Sequence, residues 1–351
     1  MFGLNLGFKN LLNLQWQGTL SDYLTDLAWS PTDSTLAASS AAGEVVLWRS
    51  NPLTPLQTTT SASIHRIAFS PDGQFLAAGG EDGQVKIWNL SSTNLTTPHT
   101  LHPTSSKAWI EHLAWSPIHN QLAYSLGRSL QIWDADHDEI TATLNFEASS
   151  VLGIQWCPNG QYLAVCGHRG VKVWNAQNWQ DTPYNLDIRA ASLAIAWSPD
   201  GHYLAAGNLD RTLVVMAWNN PDPWIMRGFP GKIRAVNWSE SLTATNAPLL
   251  AAACGNSIIV WEKQTDESAG WEARVLDLHE GTVQAIAFQP NTFLLASASD
   301  DGYVCLWQNA SEVAQILEGA PHGFSSLAWH PQGHLLAAGG QNGEVLIWSG
   351  D

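Results

Sequence analysis

Residues 283–307 read VQAIAFQPNTFLLASASDDGYVCLW. Val283–Phe288 alternates apolar and other side chains, and Leu294–Ala298 is apolar and small. Tyr303–Trp307 is again rich in β-formers. Gln289–Phe293 and Ser299–Gly302 carry the Pro, Asn, Asp and Gly of tight turns. The stretch predicts three short strands joined by two turns. It has no period that would suit a helix.

The same phrase recurs along the chain. IHRIAFSPDGQFLAAGGEDGQVKIWNL at 64–90 is a close copy. The leading aromatics are Trp29, Phe69, Trp115, Trp156, Trp197, Trp238, Phe288 and Trp329. The leucine of the Leu-Ala phrase follows seven residues later in seven units. In the sixth the separation is 12, through an insertion at 239–248. The closing residues are Trp48, Trp88, Trp133, Trp174, Trp218, Trp261, Trp307 and Trp348, at gaps of 40–46. Fourteen of the nineteen tryptophans are thereby core by periodicity. A fourth strand fits between each closing Trp and the next unit. One such sheet cannot bury both faces, but a ring of them can.

These motifs resemble WD40 repeats over essentially the whole chain, in eight copies. The resemblance implies an all-β, closed, eight-bladed WD40-type β-propeller with four antiparallel strands per blade, formed by residues 1–351 as one domain. After Trp348 no outer strand follows, while LQWQGT at 14–19 matches the outer-strand phrase QILEGA at 315–320. Residues about 11–18 are therefore expected to complete the last blade. The regular copies resemble those of bacterial WD40 proteins.

The resemblance also implies a buried polar set, kept in full in unit seven alone: His279, Ser297, Asp301 and Trp307. A buried His and Asp are tolerable when they satisfy each other, so these four are expected to be structural. Units three, four and six are one residue shorter at the turn and lack the Asp. In unit five Met216 stands where the closing Trp would fall.

Propellers of this kind bind partners on the rim formed by the loops entering the first strand and by the turns between second and third strands. Counting back four and six residues from the leading aromatics, and adding the turns, gives Tyr23, His65, Glu81, Trp109, Glu111, Lys232, Arg234, Gln284, Asp300 and Gln341 as expected protein-binding positions. Exposed aromatics and Arg are favoured anchors. Lys232 and Arg234 are the clearest basic pair in an acidic chain.

Composition bounds the function. Lys plus Arg is 15 and Asp plus Glu 31, a net charge of −16. That excess opposes non-specific binding to nucleic acid or an anionic membrane. The apolar run at 249–261 is too short to span a bilayer, no signal peptide is evident, and four cysteines without CxxC spacing suit a reduced cytoplasmic setting. GFPGK at 228–232 lacks P-loop spacing, and no GxSxG or HExxH occurs. His99 and His102 lie in a Thr/Pro/Ser-rich loop without a tight ligand pattern. The expectation is a non-catalytic scaffold, monomeric on its own, without cofactor or metal, whose partners are proteins or peptides. The alternative is a propeller enzyme or metal-binding protein, with His65, Glu81 and Glu111 converging at the channel mouth.

Overall fold

The computed structural model describes residues 10–49, 52–92, 95, 97–102, 108–218, 220, 222–266 and 269–350. Every regular element among them is a strand, and no helix is long and apolar enough to cross a membrane. Unit one shows the plan: Leu24–Trp29, Leu36–Ser40, Val45–Trp48 and Thr54–Gln57 follow one another as an antiparallel meander. The second strands carry Leu-Ala followed by Ala, Ser, Tyr or Val at almost no exposure, for example Leu76, Ala77 and Ala78 at 0% each. Small side chains there let neighbouring sheets approach, and the leading and closing aromatics fill the wedge between them.

The expectation of eight blades is corrected. The hydrogen-bonded sheets number seven: six with four strands and one with six. Units four and five share the doubled sheet because Tyr184–Trp197 runs unbroken for 14 residues. Its first part pairs with Tyr162–Asn175, from Val173↔Tyr184 to His168↔Ala191. Its second part pairs with Tyr203–Asn208. Ile188-Arg189-Ala190-Ala191 contains no Gly, Pro or Asn to break the strand, whereas other lead-ins carry Gly231, Gly281 or Pro321-His322-Gly323.

Contacts between innermost strands close the ring. The Trp29 indole N–H donates to the Ala328 carbonyl at 3.0 Å, Trp115 to Ala68 at 3.0 Å, Trp156 to Ala114 at 3.0 Å, Trp238 to Ala196 at 3.0 Å, and Trp329 to Ala287 at 3.1 Å. At the other three junctions the donor is a backbone N–H of the following unit and the acceptor a side chain of the preceding one. Ile67 N–H donates to Asp26 Oδ2 (3.0 Å), Trp197 N–H to Gln155 Oε1 (2.6 Å) and Phe288 N–H to Asn237 Oδ1 (2.9 Å). Units two and seven lead with Phe69 and Phe288, which have no ring N–H, and the Trp197 indole nitrogen is buried without a partner. A polar side chain on the preceding strand supplies each missing link.

Asn13–Thr19 lies antiparallel to Glu344–Ser349, from Asn13↔Ser349 to Thr19↔Glu344. Leu11 and Leu12 N–H both donate to Gln315 Oε1, and Gln315 Nε2 donates back to the Leu12 carbonyl at 2.8 Å. Leu12 is buried at 3% exposure. This pairing covers what would otherwise be an open strand edge. Residues 1–9 lie outside the described residues.

The turns between second and third strands need left-handed backbone. Gly83 (φ 70°) and Gly302 (φ 90°) occupy such positions in units two and seven. In units four and five the same kind of position holds Arg169 (φ 69°) and Arg211 (φ 65°). A side chain there costs roughly 1–2 kcal/mol.

Deleting residues 1–18 is expected to remove several kcal/mol, lowering Tm by about 5–10 °C. Thermal unfolding followed by circular dichroism tests this, and an unchanged Tm would show that the terminal pairing contributes nothing.

Candidate interaction rim

One rim of the ring is stitched by backbone bonds between units. The chain entering one unit hydrogen-bonds to the turn of the unit before it. Leu20 N–H donates to the Gly343 carbonyl, Thr60 to Ala42, Ile110 to Gly80, Val151 to Gly127 and Val283 to Gly255, all at 2.8–2.9 Å. Within a unit the turn bonds back to its own lead-in, as Glu81 N–H does to Ser63 and Asp300 N–H to Thr282. Side chains from different units are thus held on one surface by backbone whose polar groups are already paired.

The geometry brings several of the expected positions together. The His65 ring stands edge-on to Trp109, with centroids 5.6 Å apart and planes at 77°. His65 Nε2 lies 3.8 Å from Glu81 Oε1, whose other oxygen accepts the Ser63 N–H at 3.3 Å. Trp109 stays 51% exposed in spite of this contact. Glu111 is half-buried beside it in sequence. Across the ring Gln284 Nε2 donates to Asp300 Oδ2 at 3.4 Å. A Cβ on Gly323 would meet both the Asp300 backbone and the Gln341 side chain, so these too are neighbours. Tyr23 is exposed, and its carbonyl accepts the Ala41 N–H. Lys232 and Arg234 are exposed and make no ion pair among the described residues. They lie in another sector, apart from the His65–Trp109 group.

In unit seven His279 Nδ1 lies 2.9 Å from Asp301 Oδ2 and Nε2 lies 2.8 Å from Ser297 Oγ, which accepts the Trp307 indole N–H at 2.8 Å. Burial alone would raise the Asp301 carboxyl. The adjacent His279, its hydrogen bond, and the N–H groups of Tyr303 and Gly281 hold it below the usual range instead. The chain is wired through this set from the lead-in to the third strand.

A second polar group went unnoticed in sequence because no motif marks it. Asp26, Arg66 and His112 each stand three residues before a leading aromatic, the first two on adjacent inner strands and His112 just before the next. The same register holds only Gly153, Ala194, Ala235, Ala285 and Ser326 elsewhere. Arg66 Nη1 is 3.5 Å from Asp26 Oδ1. Burial raises the Asp26 carboxyl, opposed by Arg66 and by the N–H groups of Ile67 and Leu27. Burial first, then the charges of Arg66 and His65, push His112 down to about 4. Aligning the repeats by their aromatics and comparing this register would have found the group.

Among the described residues no three His, Cys, Asp or Glu side chains gather as a metal site. His99 Nε2 pairs with Asp138 Oδ1 at 3.1 Å and its ring stacks on Trp133; His102 is exposed. The insertion at 239–248 extends its hairpin and packs on unit seven, with Glu240 Oε2 accepting the Asn291 N–H at 3.0 Å. A cleft of about 500 Å³ lies away from the rim, beside the terminal pairing, lined by Leu12, Phe293 and His334 among others.

The depressed His112 sets a pH dependence. Its unfolded form takes up a proton near pH 6.5, but its folded form only near 4. Stability is therefore full above about pH 6.5 and falls as the pH drops toward 4. The expected loss is on the order of 1–3 kcal/mol. Asp26, raised in the fold, works in the opposite direction. Comparing urea unfolding at pH 7 and pH 5, His112→Gln should shrink the difference. An identical difference in wild type and variant would assign the acid sensitivity to other groups.

Residues 27–117 match the family model described as the anaphase-promoting complex subunit 4 WD40 domain. Residues 139–175, 189–215, 270–308 and 311–349 match the WD domain, G-beta repeat. The chain is 30% identical over 102 residues to "Protein CIA1" of Arabidopsis thaliana, covering 27% of this chain and 29% of that protein. It is 31% identical over 97 residues to "Elongator complex protein 2" of Danio rerio, covering 26% of this chain and 12% of that protein. The matched part is thus less than a third of either relative. Both relatives are eukaryotic, and the likeness to bacterial copies finds no support in them. The recurring aromatics, the meandering sheets and the matched repeats agree: the chain belongs to the WD40-repeat family.

Proposed function

We propose that this protein is a non-catalytic interaction platform whose rim of lead-ins and turns engages a protein or peptide partner. The observation that carries this is the Trp109 indole, half-exposed and braced by His65, on a surface where bonds between units fix the backbone. A side chain held in place before binding loses little conformational freedom on contact, so more of its burial counts toward affinity. Two names support the same direction. One matched model describes an anaphase-promoting complex subunit, and one relative is named as an Elongator complex protein. Tyr23, His65, Glu81, Glu111, Lys232, Arg234, Gln284, Asp300 and Gln341 are proposed contacts around Trp109. His279, Ser297, Asp301 and Trp307 are proposed to stiffen unit seven rather than to react. The net charge of −16 speaks against nucleic acid as the general partner. Four buried, unpaired cysteines suit a reducing, cytoplasmic setting for a monomer that assembles with others.

Affinity capture from native extract tests this, using wild type and the triple variant Trp109→Ala, Lys232→Glu, Arg234→Glu at matched Tm. A protein held by wild type alone is the expected result. Equal recovery by both forms would place the interface elsewhere, and no recovered protein with either would remove the platform reading.

A further inference from the structure

The rim is electrically divided. In units seven, eight, one and two the turns between second and third strands, or the strand residue just after them, carry acids: Asp300 and Asp301, Glu344, Glu44, and Glu81 with Asp82. In units three, four and five the corresponding turns carry Arg128, Arg169 and Arg211, and the lead-in of unit six carries Lys232 and Arg234. Arg189 joins them, because Asp187 pairs with Gly170 and the strand then runs past the unit-four turn. These six of the chain's 15 basic residues are all exposed. None makes an ion pair among the described residues, whereas Lys86, Lys172 and Arg274 each face a carboxylate. The carboxylates on the same sector are fewer. Glu147 is paired with Lys172, Asp210 accepts the Thr212 hydroxyl, Glu111 is half-buried, and Asp187 stands exposed.

A second observation points the same way. Arg169 and Arg211 sit in left-handed backbone, at φ 69° and 65°, in turns whose counterparts in units two and seven use Gly83 and Gly302. Glycine would relieve that strain. A strained position that keeps an unpaired cation spends folding stability on presenting charge. Beside Arg211, Leu209 is 52% exposed, and the lead-in positions of units four and five hold the half-buried Leu152 and Leu193.

We infer that the rim over units three to six docks an acidic polypeptide segment, its carboxylates on this arc of arginines and lysine and an apolar side chain among Leu152, Leu193 and Leu209. The inference rests on the platform reading and names the chemistry of its partner. Planar guanidinium groups suit paired carboxylates. Nucleic acid fits less well, since the arc offers Trp109 and leucines between its cations rather than a series of aromatic rings for stacking.

The test is fluorescence anisotropy with a short labelled peptide of glutamates flanking a central leucine, against the same peptide with glutamines. Wild type should bind the acidic peptide, lose affinity as salt rises from about 50 to 200 mM, and ignore the glutamine form. Arg169→Gly with Arg211→Gly should weaken binding about fivefold to tenfold, with Tm unchanged or raised. A second variant, Lys232→Gln with Arg234→Gln, removes two cations that hold no structural partner and should weaken binding similarly. Equal binding by wild type and both variants would overturn the inference. So would tighter binding of an oligo-dT strand, or of phosphatidylserine vesicles, than of the acidic peptide. Loss of native partner capture on Trp109→Ala, with neither peptide bound, would overturn acidic recognition and leave the platform standing.

Discussion

Every unit of this ring is tied to its neighbour at the innermost strand, where adjacent units come closest to one another. Five of the junctions use an indole N–H on a carbonyl of the preceding unit. The indole does two things at once: its ring fills the wedge between sheets and its one polar atom meets a carbonyl that strand pairing leaves with a free lone pair. A Phe fills the same wedge but forfeits the bond. At Phe69 and Phe288 the link is made instead by a side chain reaching forward from Asp26 or Asn237 to a backbone N–H. The ring thus tolerates a changed aromatic because the bond can be supplied from the other partner.

The rim inherits its rigidity from those junctions. With the inner strands fixed relative to one another, each lead-in is positioned to bond with the turn before it, and the exposed side chains follow. This explains how residues distant in sequence, such as Glu81 and Trp109, converge about His65 without a motif of their own. It also explains why charge can differ so much from one sector to the next. The bonds that join the units are made by backbone groups, so the unit-seven turn can carry Asp300 and the unit-five turn Arg211 with little effect on how the units join.

Much of this was legible in the sequence, for a physical reason. Aromatic and Leu-Ala positions are set by packing, which demands the same volume in every unit, so they repeat. The count of sheets was not legible from those positions. Trp156 and Trp197 mark two repeats, but whether two repeats form two sheets depends on what lies between them, and Ile188–Ala191 carries no residue that stops a strand. The expected rim positions came from register alone, and the structure gathers His65, Glu81 and Trp109 while leaving Lys232 and Arg234 in another sector. Asp26, Arg66 and His112 escaped notice because each is ordinary in its own unit. Only the contrast with Gly153, Ala194 and Ala235 in the same register sets them apart. Arg169 and Arg211 were hidden similarly, since a sequence does not display a positive φ.

Asp26 shows how a structural position can acquire a second duty. Asn237 makes the equivalent junction with a neutral amide, accepting the Phe288 N–H at 2.9 Å. A charge is therefore unnecessary for joining the units, and burying one is costly; the raised Asp26 carboxyl records that cost. What the carboxylate has and the amide lacks is an attraction for Arg66, 3.5 Å away. Arg66 in turn is one of the groups that keep His112 in its neutral form. The pairing runs from unit one through unit two to unit three, beneath the sector where Trp109 and His65 stand. Asp26 is thus both the bond that joins two units and the anchor that orients a cation among the innermost strands.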